Sequence, residues 1–168
     1  YITHFYMDIG YKNDYVGVMY LEYEGVKVYF IDNEYYFNGP TPYGDVKWDI
    51  EKFCYFSKAA LSILPSIGFQ PDIIHCHDWQ AGLVPVYLKT LFAGDLFYTS
   101  MKSVMTIHNL QFQGKWDIKT IQEYSGLPDY VFTPDKLEVQ KDAAMLKGGL
   151  VYADKITTVS NTYAKEIQ

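Results

Sequence analysis

Arginine is absent from this chain of 168 residues: all 14 of its basic residues are lysine. Proteins that grip phosphate groups usually present a guanidinium fork. Any phosphate grip is therefore expected outside this chain, or from lysine and backbone amides. Cysteine is scarce as well. Cys54 and Cys76 give neither a disulfide framework nor zinc-ligand spacing, and they fit a reducing compartment. No apolar run approaches the roughly 18 residues of a membrane-spanning helix. The start, Tyr1-Ile2-Thr3-His4, shows no basic region or apolar run of a secretory signal. Positive charge is outweighed, with a net charge of −6, so neither nucleic acid nor an anionic membrane is an expected partner. Glycine-rich dinucleotide and Walker loops are missing, as is the Gly-x-Ser-x-Gly elbow. Neither cysteine has the electropositive surroundings of a reactive thiolate.

What is present suits one folded domain. Hydrophobic residues make up 49% of the chain and charged residues 20%, enough apolar surface to bury a core. Aromatics reach 18%, which serves either a heavily packed interior or a surface where rings stack on sugars; packing is the default reading. Residues 15–32 read as a hairpin turning at Glu24-Gly25, and 33–45, with two glycines and two prolines, as a loop. Apolar positions at helical spacing predict a helix over 49–64, ended by Pro65. A short strand over 72–77, a helix over 79–92 and a strand over 103–108 follow. The stretch 109–132 is polar and aromatic. Thr133 as N-cap and Pro134 as first helical residue then predict a helix start, with the helix running over 138–153. Its Gly148-Gly149 pair reads as close packing. A strand over 155–159 comes last, with Ser160 or Asn161 capping a terminal helix. This alternation predicts an α/β fold, a parallel sheet with helices on both faces.

The strand ends carry the site signal. Ile31 is followed by Asp32-Asn33, Cys76 by His77-Asp78, Ile107 by His108-Asn109, and Val159 by Ser160-Asn161. In open α/β sheets ligands bind at the carboxyl ends of the strands. His75, Cys76 and His77 do not read as a metal site, because alternate strand residues face opposite sides and no usual zinc spacing appears. Asp78 is equally well placed to cap the helix behind it, and His108 could be a satisfied core histidine. Structure and function stand level for both on spacing alone.

Four segments in register resemble bacterial glycogen synthases and plant starch synthases. They are Phe30-Ile31-Asp32-Asn33-Glu34-Tyr35-Tyr36-Phe37, the run from Pro71 through His77-Asp78-Trp79 to Leu83, Thr106-Ile107-His108-Asn109-Leu110-Gln111-Phe112-Gln113-Gly114, and Gly149-Leu150 through Ser160. Their order and separation match over nearly the whole chain.

The resemblance implies a two-domain glycosyltransferase of the GT-B type, with two Rossmann-like halves and a cleft between them. Residues 1–168 would form most of the N-terminal, acceptor-side half. The family's upstream glycine-rich loop and its C-terminal nucleotide-binding domain would lie outside the chain, which accounts for the missing arginine and initiator methionine together. The implied activity is retaining transfer of glucose from ADP-glucose to the non-reducing end of an α-1,4-glucan, glycogen or a malto-oligosaccharide. No metal or other cofactor is implied, and the implied location is the bacterial cytoplasm. Residue by residue, His108 would hold the transferred glucose and Asp78 would lie near that sugar or the acceptor. Asn109 would support His108, Tyr43 would border the cleft, and His77 and Trp79 would shape the pocket. A sucrose-synthase-like transferase and a non-catalytic α-glucan-binding module are the alternatives; the βαβ pattern disfavours the second.

Overall fold

The computed structural model describes residues 1–168. Strands β1 (Thr3–Ile9), β2 (Lys12–Tyr23) and β3 (Val26–Asp32) form an antiparallel meander. Its second turn is Glu24-Gly25, where both residues take positive φ, so the expected hairpin is present and gains a strand at its start. Helix α1 (Glu34–Phe37) is a single turn capped by the Asn33 side chain.

Helix α2 (Val46–Ser66) begins three residues earlier than the periodicity predicts. Asp45 supplies the reason, since its carboxylate accepts the amides of Lys47 and Trp48 at 3.1 and 3.3 Å. The helix buries Ile50, Cys54, Tyr55 and Leu61, and Pro65 sits in its last turn. Strand β4 (Ile73–His77) leads to a 3-10 turn over Trp79–Ala81 and helix α3 (Leu83–Lys89), a shorter helix than expected and broken at its start. Strand β5 (Lys102–Ile107) follows.

The next region departs most from expectation. The polar stretch after β5 contains strand β6 (Lys115–Asp117) and helix α4 (Ile118–Ser125). Asp117 caps α4 through the Thr120 amide at 2.9 Å, and Gly126 ends it with a left-handed φ of 68°. The predicted helix over 138–153 is only half helix. Strands β7 (Glu138–Val139) and β8 (Asp142–Ala144) precede helix α5 (Met145–Tyr152), and Gln140 and Lys141 turn between them at φ 53° and 72°. Thr133 caps no helix; its carbonyl accepts from Lys136 and Glu138 in a turn. Strand β9 (Lys155–Thr158) and helix α6 (Asn161–Glu166), capped by Ser160, complete the chain as expected.

Strands β4, β5 and β9 form a parallel sheet, and β6, β8 and β7 a small antiparallel one. The α/β class with a parallel sheet therefore holds. One face of the parallel sheet carries Cys76 and Met105, which join the core with α2, α3 and α5. Gly149 of α5 approaches so closely that an added Cβ would lie 3.2 Å from the Met105 sulfur. The opposite face carries His75, His77 and Thr157 exposed. Its polar side chains bond to one another: His75 Nε2 lies 2.6 Å from Thr106 Oγ1, which is 2.6 Å from Thr157 Oγ1.

Candidate functional site

Three of the four polar strand ends meet. His77-Asp78 leaves β4, His108-Asn109 leaves β5 and Ser160-Asn161 leaves β9, all at the carboxyl edge of one parallel sheet. Asp32-Asn33 ends β3 of the meander instead, where Asn33 caps α1 and its amide nitrogen donates to the Tyr15 carbonyl.

Asp78 is the hinge of this edge. Its backbone adopts φ 55° and ψ −170°, a region that costs a residue with a Cβ about 1–3 kcal/mol. Its side chain makes no cap bond to the turn behind it. The carboxylate turns across the sheet instead and accepts the His108 amide at 2.7 Å and, more weakly, the Asn109 amide at 3.4 Å. Its own amide donates to the Thr106 carbonyl. The capping role expected for Asp78 is not the one observed: its carboxylate fixes the turn carrying His108 instead. Asn109 holds the next turn, its side-chain oxygen accepting the Gln111 amide at 2.9 Å.

The two histidines stand together. His77 Nδ1 and His108 Nε2 are 3.0 Å apart, so one ring donates and the other accepts, which requires at least one neutral ring. Both are exposed. Partial burial, with His75 and His108 as neighbours, lowers the His77 pKa below its ordinary 6.5, against an opposing pull from Asp78. Cys76 points the other way into the core, where burial pushes its thiol up to about 12. Cys54 moves in the same direction for the same reason.

Beside the strand ends lies a cavity of about 610 Å³, within the range of small-molecule sites. Tyr43, Asp78, Trp79, Gln80, Asn109 and Phe112 line it. Trp79 forms a wall, its indole edge-on to Phe53 with centroids 5.0 Å apart and pressed by Gly114, where an added Cβ would lie 2.3 Å from the ring. Aromatic faces flanked by amides and carboxylates match a polyhydroxylated ligand, whose C–H faces stack and whose hydroxyls hydrogen-bond. The one lysine on the wall, Lys115, stands 3.5 Å from Asp142. The cavity thus combines aromatic rings with a few polar groups and holds no cluster of cations for a diphosphate.

Of the six candidate residues, Tyr43, Asp78, Trp79 and Asn109 border this cavity. His108 and His77 adjoin it through Asp78 and lie outside its lining. Three lining residues were not singled out from the sequence: Gln80 and Phe112, which both sit within the resembling segments, and Asp49, concealed in the periodicity of α2.

Comparison with known proteins gives one answer. A family model described as starch synthase catalytic domain matches residues 1–168. A glycogen synthase of Lachnospira eligens is 61% identical over 168 residues, covering all of this chain and 35% of that protein. A glycogen synthase of Geobacillus thermodenitrificans is 49% identical over 160 residues, covering 95% of this chain and 33% of that protein. The chain thus spans about a third of the length of these relatives. Among solved structures, the catalytic domain of starch synthase IV from Arabidopsis thaliana, bound to ADP and acarbose, superposes with a TM-score of 0.89 at 31% identity. The match covers 98% of this chain and 34% of that one.

Proposed function

The chain belongs to the starch synthase catalytic domain family, and we propose that it forms most of the N-terminal, acceptor-side half of a retaining glucosyltransferase. The full enzyme transfers glucose from ADP-glucose to the non-reducing end of an α-1,4-glucan in the bacterial cytoplasm. A glycine-rich loop upstream and a Rossmann-like nucleotide-binding domain downstream complete it. The observation that carries this reading is the junction of the sugar-suited cavity with the strand-end turn that Asp78 fixes around His108.

In this reading the acceptor lies in the cavity, one glucose unit against Trp79, with hydroxyls reaching Asp78, Asn109 and Gln80. His108 hydrogen-bonds a hydroxyl of the transferred glucose. The terminal acceptor hydroxyl attacks the anomeric carbon from the side on which ADP departs. The new C–O bond forms as the bond to the phosphate oxygen breaks, ADP keeps that electron pair, and the acceptor proton passes to the departing phosphate. This half contributes positioning, and the charge on ADP is stabilised by the other half. The complex of the Arabidopsis protein with ADP and acarbose supports a nucleotide donor and a sugar-like acceptor.

The test is glucosyl transfer to glycogen by the full-length enzyme, wild type against His108→Ala, with ADP-glucose and UDP-glucose supplied separately. Transfer from ADP-glucose that falls by about 5- to 150-fold in the variant, the equivalent of one hydrogen bond of about 1–3 kcal/mol, is expected. An unchanged rate removes His108 from the site, and no transfer from either donor overturns the reading.

A further inference from the structure

Tyr43 lies on an irregular loop and is 53% exposed, yet its surroundings are bonded on every side. The Thr41 hydroxyl donates to the Tyr43 carbonyl at 2.7 Å. The Lys52 ammonium donates to the preceding carbonyl, that of Pro42, at 2.6 Å. The following amide, that of Gly44, donates to the Asp49 carboxylate at 3.0 and 3.3 Å. The Gln80 side-chain amide donates to the Tyr43 hydroxyl at 2.8 Å, tying the ring to the turn behind Asp78.

Asp49 and Lys52 are themselves an ion pair, 2.7 Å apart, with side chains only 6% and 7% exposed. Burying two charges draws a desolvation penalty that their mutual attraction often fails to recover, so such a pair is a poor device for stability. Helix α2 does not need Asp49 as a cap, because Asp45 performs that task. What the pair does is aim one donor and one acceptor from α2, a rigid helix, at the two peptide groups that flank Tyr43.

We propose that Asp49 and Lys52 are positioning residues: they clamp the loop so that Tyr43 stands over the cavity, and through Tyr43 they set affinity for the acceptor sugar. This rests on the acceptor reading of the cavity given above.

The experiment uses the full-length enzyme. Asp49→Leu with Lys52→Met replaces both charges by apolar side chains of similar volume, a change that often leaves a fold intact. It is compared with Tyr43→Ala, with all three changes together, and with Asp49→Ala carried in parallel should the paired variant not fold. Acceptor and donor KM are measured with malto-oligosaccharide and ADP-glucose, and amide hydrogen exchange is followed over residues 41–45. The paired variant is expected to exchange faster at 41–45 and to raise acceptor KM about 5- to 20-fold, more than kcat falls, with donor KM unmoved. Combining it with Tyr43→Ala is expected to raise acceptor KM no further than Tyr43→Ala alone, since one interaction can be lost only once. Lys52→Arg, which keeps a donor to Pro42, is expected to restore most of the affinity. Unchanged exchange at 41–45, or effects that multiply in the triple variant, overturns the proposal. If Tyr43→Ala leaves acceptor KM unchanged while loop exchange rises as expected, the acceptor reading falls and takes this proposal with it.

Discussion

At the scale of single residues, the strand-end turn depends on a backbone strain and a carboxylate that compensates it. Asp78 occupies a conformation suited to glycine, and its side chain recovers part of that cost by accepting the His108 amide. The neighbouring His77 makes the site sensitive to acid. Its folded-state pKa lies below 6.5, through partial burial and the facing rings of His75 and His108, so the folded state binds a proton less readily than the unfolded one. The sign follows from linkage: the stability that His77 contributes is fully present above its unfolded value and drains away as pH falls below it. Urea midpoints at about pH 7.5 and about pH 5.5 check this, with His77→Gln expected to lose less between them than wild type. The resembling segments carried Asp78, Trp79 and Asn109, which line the cavity, and His108, which lies outside its lining. That Asp78 bonds across the sheet, rather than along its own chain, was not legible, because a pattern of neighbours carries no information on a φ of 55°.

At the scale of elements, close packing between the turn after β4 and α5 fixes how the cavity floor meets the core. Gly82 and Gly149 face each other there. A Cβ on Gly82 would lie 2.4 Å from the Met145 carbonyl oxygen, and one on Gly149 would lie 2.9 Å from the Gly82 oxygen. These are backbone atoms that cannot rotate away, so Gly82→Ala is expected to destabilise by about 1–3 kcal/mol and to lower Tm by about 3–10 °C. Gly94→Ala, where nothing lies within 4 Å, is the control and should be nearly silent in the same thermal scans. The Gly148-Gly149 pair was legible as packing, and so were the parallel strands, whose short apolar runs are bounded by turns. Helix α4 carried signals in Asp117, Gly126 and the Ile118, Ile121, Tyr124 spacing, but it is only eight residues long and follows directly on β6 within a stretch that reads as polar and aromatic. The β7–β8 hairpin lacked any glycine or asparagine at its turn, and so its residues read as the front of a helix.

At the scale of the whole molecule, the absence of arginine and the construction of the cavity agree. The cavity presents aromatic walls, amides and carboxylates with a single lysine, and the chain has no arginine to add a guanidinium fork. On the proposed function, residues 1–168 by themselves are expected to show negligible transfer from ADP-glucose in a radiolabelled-glucose assay, because the cavity presents a single lysine and no cluster of cations for a leaving diphosphate. Measurable turnover by the chain alone would show that the donor grip lies within it. The most direct test of the account is a crystal structure of the full-length enzyme with a bound malto-oligosaccharide. The account predicts a glucose unit against Trp79, with Tyr43, Asp78 and Asn109 within about 3.2 Å of its hydroxyls. An oligosaccharide bound elsewhere on this half, with that cavity empty, would contradict it.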